Sequence, residues 1–350
     1  MKLIDYTTIS DDSYYLFACA ELKAREKEFI EKQKIKRMLD TKSIDSFFKL
    51  LHETYYSKYI DDTSKNRDFK SIITSELKSI INFLKERLKA EHQIITGFLM
   101  HKEDLHNIKI IMKSEVLNRD LEELFIPVLY SYSQLKKAVE TGSYENIDLD
   151  TTRSLQYAAI LGHTEKIYRT SELKLELFFL EKLYSSIAAL KSKMLEDFTK
   201  HIIDIFNIKN IYRNRFAEEK FDFDLFLHKN GFLTLNFLKK FENENLDYFV
   251  KTLSSTQYAP LLAQGPHPLY DDNGASYSFE KNEELFYICF FDSIKYTISN
   301  LEKIVDFFIK KKIELINLNI VFTGILYNID RDKIRHEVLI FDEDKNRCNW

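Results

Sequence analysis

A chain of 350 residues with 45% hydrophobic side chains can bury a substantial core and exceeds the usual size of a single one, so two or three domains are expected. Its 51 basic and 55 acidic residues give a formal charge of −4 and are mixed along the chain, which argues against a basic nucleic-acid surface. Seven glycines and four prolines, against an abundance of Leu, Ile, Lys, Glu and Phe, point to long helices joined by short loops: an all-α fold.

Residues 10–13 offer N-cap chemistry ahead of a long helical reading over residues 14–39, whose apolar positions recur at helical spacing. Ser43 restarts a helix, SIDSFFKLLHETYY. A polar stretch at 61–70 interrupts before a strongly charged helix over 71–91. Asn118 then ends a further helix as a left-handed C′ residue, and Asn328 takes the same part near the end of the chain. Between them, SYSQLKKAVETGSYENIDLDTTRS reads as a helix, a stop at Gly142 and a polar loop, followed by helices over 154–162 and 171–191. His163 reads as a loop histidine. Most of the breakers fall in 256–284, which reads as an exposed loop, and the polar ending FDEDKNRCNW reads as frayed.

Three cysteines, Cys19, Cys289 and Cys348, are widely spaced and form no CxxC pair, predicting a reduced, cytosolic setting without a disulfide or zinc framework. The N-terminus carries no secretory pattern. Apolar runs such as residues 285–291 fall far short of the ~18–20 residues that span a bilayer.

One stretch recurs. Residues 104–118 read DLHNIKIIMKSEVLN, residues 204–218 read DIFNIKNIYRNRFAE, and residues 314–328 read ELINLNIVFTGILYN. Each copy opens on an acid, Asp104, Asp204 or Glu314, with an asparagine three residues on, Asn107, Asn207 or Asn317. Five apolar positions also coincide: Leu105, Ile205 and Leu315; Ile108, Ile208 and Leu318; Ile111, Ile211 and Val321; Met112, Tyr212 and Phe322; Val116, Phe216 and Leu326. With a period of 3.6 these offsets fall on one side of a helix, and the acid and asparagine sit on its flank, one turn apart. The first two copies stand 100 residues apart and the last two 110, the longer step being accounted for by an insertion at 256–284. A period of this length predicts three similar helical domains, 1–125, 126–228 and 229–350, and not a solenoid.

Catalytic chemistry is hard to find. A carboxylate-bridged metal bundle needs two Glu-x-x-His motifs plus two further glutamates, and the chain offers one, Glu103 with His106. No HExxH, phosphate-cradling glycine loop or nucleophile elbow occurs, and no cofactor is expected. The six acid and asparagine residues could converge on a ligand, or each pair could satisfy buried polar groups of its own domain; recurrence a hundred residues apart favours the structural role. The 28 phenylalanines and 20 tyrosines read as core and interface, because lysine and arginine are not clustered around them.

Three places resemble the C subunit of the V-type and A-type ATP synthases, equivalent to the d subunit of the eukaryotic vacuolar ATPase. ELKAREKEFI at 21–30 is similar to the family's R-I-R-A-L-E helix, with Glu21 in place of the first arginine and Arg25 in place of the leucine. DLHNIKIIMKSEVLNRD resembles its D-x-x-N-L-K helix. ELINLNIVFTGILYNIDRDKIRHEVL at 314–339 resembles its E-x-x-N-[IL]-R-[IL] segment, keeping Gly324 but carrying Ile325 where a lysine is common. The resemblance implies a non-catalytic, funnel-shaped rotor component of three helical domains in pseudo-threefold arrangement. It would lie on the cytoplasmic inner face of the membrane, peripheral to it, joining the central shaft, made of the D and F subunits, to the proteolipid ring. The alternative is a helical scaffold unrelated to rotary motors, with an enzyme third.

Overall fold

The computed structural model describes residues 6, 9–60, 68–165, 168–215, 221–242, 244–262 and 277–339, and every regular element among them is helical. The chain divides into two compact units, one formed by Met1–Glu76 with Glu244–Trp350 and the other by Leu77–Asn243. The first is discontinuous in sequence.

Helices α1 (Leu16–Arg25), α2 (Lys32–Leu39) and α3 (Ile44–His52) begin the first unit. Asp12 accepts from Tyr14 N ahead of α1, and Ser43 accepts from Ser46 N at the head of α3, satisfying donors that a helix start leaves free. The expected continuous helix over 14–39 is corrected by a break at residues 29–31. There Phe29 is extended and Ile30 N donates to Glu314 Oε2 at 2.6 Å. A buried carboxylate far along the chain takes the amide that the helix would have used, an effect that local propensity does not encode.

Helix α4 (Phe69–Arg87) leads into α5 (Ile94–Leu117), α6 (Tyr132–Thr141), α7 (Leu149–Thr164), α8 (Tyr168–Ala189), α9 (Lys193–Arg215) and the short α10 (Leu235–Lys239). Ile108, Ile111 and Met112 of α5, Leu135 of α6, Leu155 and Leu161 of α7 and Leu175 of α8 share one apolar core. Gly142 stops α6 with φ of 68°, where a side chain would be strained. The polar loop after it is shorter than expected, because Asp148 caps α7 through Asp150 N and Thr151 N. His163 belongs to the last turn of α7 and not to a loop.

The first unit resumes with α11 (Leu246–Leu253), α12 (Tyr277–Phe291), α13 (Leu301–Leu326) and α14 (Arg331–Glu337). Phe322 of α13 stacks on Phe69 at 4.7 Å between ring centroids, with Phe47 and Phe48 of α3 against the same ring. The loop expected over 256–284 is corrected at both ends: Ala259–Leu262 is a 3-10 turn with Leu261 and Leu262 buried, and α12 begins at Tyr277. Residues 263–276, the interruption at 61–67, Glu218 at the second repeat's end and the ending at 341–350 lie outside the described residues.

Two of the cysteines are described. Cys19 is free and buried, whereas Cys289 is disulfide-bonded, which corrects the expectation of a chain without disulfides. An odd cysteine count leaves one thiol over and does not exclude a single bridge.

Candidate functional site

The three repeated stretches lie on α5, α9 and α13, the longest helices of the described chain. Ile108, Ile208 and Leu318 are buried, as are Ile111, Ile211 and Val321. Val116 and Leu326, expected on the same buried stripe, are exposed, because they stand in final turns that run past the core.

Each asparagine makes the same pair of bonds. Asn107 Nδ2 donates to Ile126 O at 2.8 Å while its Oδ1 accepts from Ile126 N at 2.9 Å. Asn207 does this to His228, at 2.9 and 2.8 Å, and Asn317 to Leu339, at 2.8 and 3.0 Å. A side-chain amide carries one donor and one acceptor in the geometry of a peptide, so it can replace a neighbouring strand for one residue. In every copy the chain leaves the long helix, returns alongside it 19 to 22 residues later, and is gripped there.

On α9 the grip becomes a row. Asn214 holds Phe221 by two bonds, Asn210 donates to Phe226 O, Asn207 holds His228, and Asp204 accepts from Phe232 N and Leu233 N. These helix positions, spaced three, three and four apart, share one face, and the returning chain runs antiparallel to it. Gly231 is required beside Asp204, since a Cβ there would lie 2.0 Å from Asp204 Oδ1. Asn210 and Asn214 were not singled out from sequence, although the run NIKNIYRN places asparagines at helical spacing.

The acids have three different surroundings. Asp204 is fully buried in the row just described, and half-buried Asp104 lines a hollow of about 20 Å³ with Tyr130 and Lys182. Glu314 centres a network instead: its carboxylate accepts from Ile30 N, from Tyr56 hydroxyl at 2.7 Å and from Lys311 Nζ at 2.9 Å. Lys311 is buried against the rings of Phe29, Tyr55 and Tyr56, each centroid within about 5 Å. Burial, reinforced by the Glu314 charge, pushes the Tyr56 phenol well above its ordinary range, so it remains a donor. The sequence signal for this network was a lysine one turn before Glu314 inside an apolar stripe.

Two copies also end alike. Asn118 and Asn328 have φ of 47° and 53°, Arg119 N donates to Ser114 O, and Ile329 N to Gly324 O, the bond pattern of a Schellman cap. Gly324 lets α14 close on α13, for a Cβ there would lie 2.2 Å from Ile334 Cδ1.

Titration is shaped by burial. His201 of α9 is pushed down to about 3 by loss of solvent, and His228 is lowered for the same reason despite Glu181 at 3.0 Å. His106 Nε2 lies 2.8 Å from Leu124 O, and among the described residues no group of three or more His, Cys, Asp or Glu is arranged to hold a metal ion. No described helix is long and apolar enough to cross a membrane.

Comparison with known proteins agrees with this helical, clamp-built architecture. The chain is similar to the C subunit of the V-type sodium ATPase of Enterococcus hirae, 24% identical over 257 residues covering 70% of this chain and 75% of that protein. It is similar along nearly its whole length to the A-type ATP synthase C subunits of two further organisms. That of Methanococcoides burtonii is 22% identical with 94% and 95% covered, and that of Methanocaldococcus jannaschii is 22% identical with 93% and 86% covered. The pattern of one family, ATP synthase (C/AC39) subunit, matches residues 18–337, a span that contains the three acid and asparagine pairs, and the chain belongs to that family.

Proposed function

We propose that this protein is a non-catalytic central-stalk subunit of a V/A-type rotary ATPase, the socket that links a shaft of D and F subunits to the membrane proteolipid ring. The match over residues 18–337, with relatives named as C subunits of rotary ATPases, carries this reading. In it the chain forms three helical repeats, 1–125, 126–228 and 229–350, arranged around a pseudo-threefold axis, and sits on the inner face of the membrane without entering it. A coupler must transmit torque without yielding. Long helices tied to their own returning chain by paired asparagine bonds supply that stiffness, since opening a clamp leaves a buried donor and acceptor unpaired. Asp104, Asn107, Asp204, Asn207, Glu314 and Asn317 are structural residues in this reading and do not form a catalytic centre.

The test is to reconstitute complexes with and without the protein and to follow ATP hydrolysis and ion uptake in parallel. Hydrolysis should persist in the soluble head while ion uptake disappears. Ion pumping in its absence would overturn the assignment.

A further inference from the structure

A large open cavity lies within the first unit, between the α1–α2 break, the end of α12 and the start of α13. Its volume is about 950 Å³, and Leu22, Ile30, Ile35, Ile288, Phe291 and Phe307 contribute its apolar lining. Three further lining side chains are large, apolar and turned to solvent: Tyr296 is 82% exposed, Ile298 67% and Leu16 52%. Single exposed hydrophobics are ordinary, but three at one cavity form a patch that water covers poorly.

The charges around it are mixed, with six lysines and four carboxylates among the lining residues. Three of the lysines, Lys23, Lys295 and Lys310, are engaged with Glu26, Asp292 and Asp306. Lys27 is exposed with no described carboxylate beside it, and Lys303 Nζ donates to Lys295 O at 3.2 Å. Burial pulls the Lys303 ammonium below its ordinary range, which an added anion would reverse.

We infer that this cavity is the seat for an amphipathic helix of a partner protein, with apolar residues at helical spacing and an acidic flank. An apolar floor of this size takes several large side chains, as helix-in-groove recognition requires. The lysine excess selects an acidic flank. The carboxylates among the lysines disfavour an anionic bilayer surface yet can pair with occasional basic residues of a helix. The inference does not depend on the socket reading.

The experiment places a photo-crosslinking phenylalanine derivative at Tyr296 or Ile298 in the full-length protein inside cells, with exposed Leu149 as control, and sequences the crosslinked peptides. The expected result is one segment, captured at both positions and not at Leu149, whose apolar residues follow helical spacing and whose flank is acidic. Lys27→Glu, at an exposed position that does not test folding, should lower the crosslink yield about tenfold. Charge reversal of the captured segment's facing acid should restore it. Capture of lipid, capture of a basic or non-helical segment, an equal yield at Leu149, or a yield indifferent to Lys27→Glu would each overturn the inference. A captured helix belonging to no rotary ATPase component would keep this site and sink the socket reading, whereas failed capture with ion pumping still dependent on the protein would do the reverse.

Discussion

Asn207 holds both main-chain groups of His228 with one side chain, and everything around it is dry. Replacing it by alanine leaves that amide and carbonyl buried without partners, at about 1–3 kcal/mol for each group not reached by water. Denaturant unfolding should therefore show Asn207→Ala among the more damaging single polar deletions. Asn207→Asp is the sharper test. Its carboxylate keeps the acceptor for His228 N but turns a lone pair toward His228 O, one helical turn from Asp204. At neutral pH Asn207→Asp should be at least as destabilising as alanine. An aspartate variant as stable as the natural protein would show that the clamp donates nothing.

Between elements, the buried ion pair decides how α13 meets the break between α1 and α2. Lys311 and Glu314 have side chains almost wholly removed from water, and Glu314 also fixes Ile30 and Tyr56. Breaking such a pair from one side costs about 3–5 kcal/mol, while replacing both partners by neutral groups of similar shape can be nearly neutral. We expect Lys311→Met to destabilise strongly, because the Glu314 charge loses its cation. Lys311→Met combined with Glu314→Gln should regain much of that loss, for methionine still packs on the three rings and glutamine still accepts from Ile30 N. A double-mutant cycle with additive losses would show the pair to be uncoupled. The same network explains what the sequence could and could not convey. The long helices, their caps at Ser43, Asn118 and Asn328, and the recurring acid and asparagine were legible because helical period and cap chemistry are local. The break at Ile30 was not, since its cause lies 284 residues away. The buried turn at Leu261 was hidden for a different reason: neighbouring prolines read as a loop whether or not the chain around them is packed.

For the whole molecule, the two units differ in how they close. Leu77–Asn243 is continuous and carries its own apolar core together with the Asn107 and Asn207 clamps. The other unit needs both ends of the chain: Ile30 and Tyr56 donate to Glu314, and Phe47 and Phe69 pack on Phe322. Continuous domains of ~150 residues bury about 68–70% of their unfolded surface, against about 60% for one of ~60 residues. A fragment covering 69–243, which keeps α4 whole, should fold alone, showing helical circular dichroism and a cooperative thermal transition. A fragment covering 1–76 should not, since the carboxylate that receives Ile30 and the ring that receives Phe47 are missing from it. Adding 244–339 as a separate chain should recover helical signal in 1–76 by supplying them. Cooperative folding of 1–76 alone would mean that its core closes without α13, and the discontinuous unit would have to be redrawn.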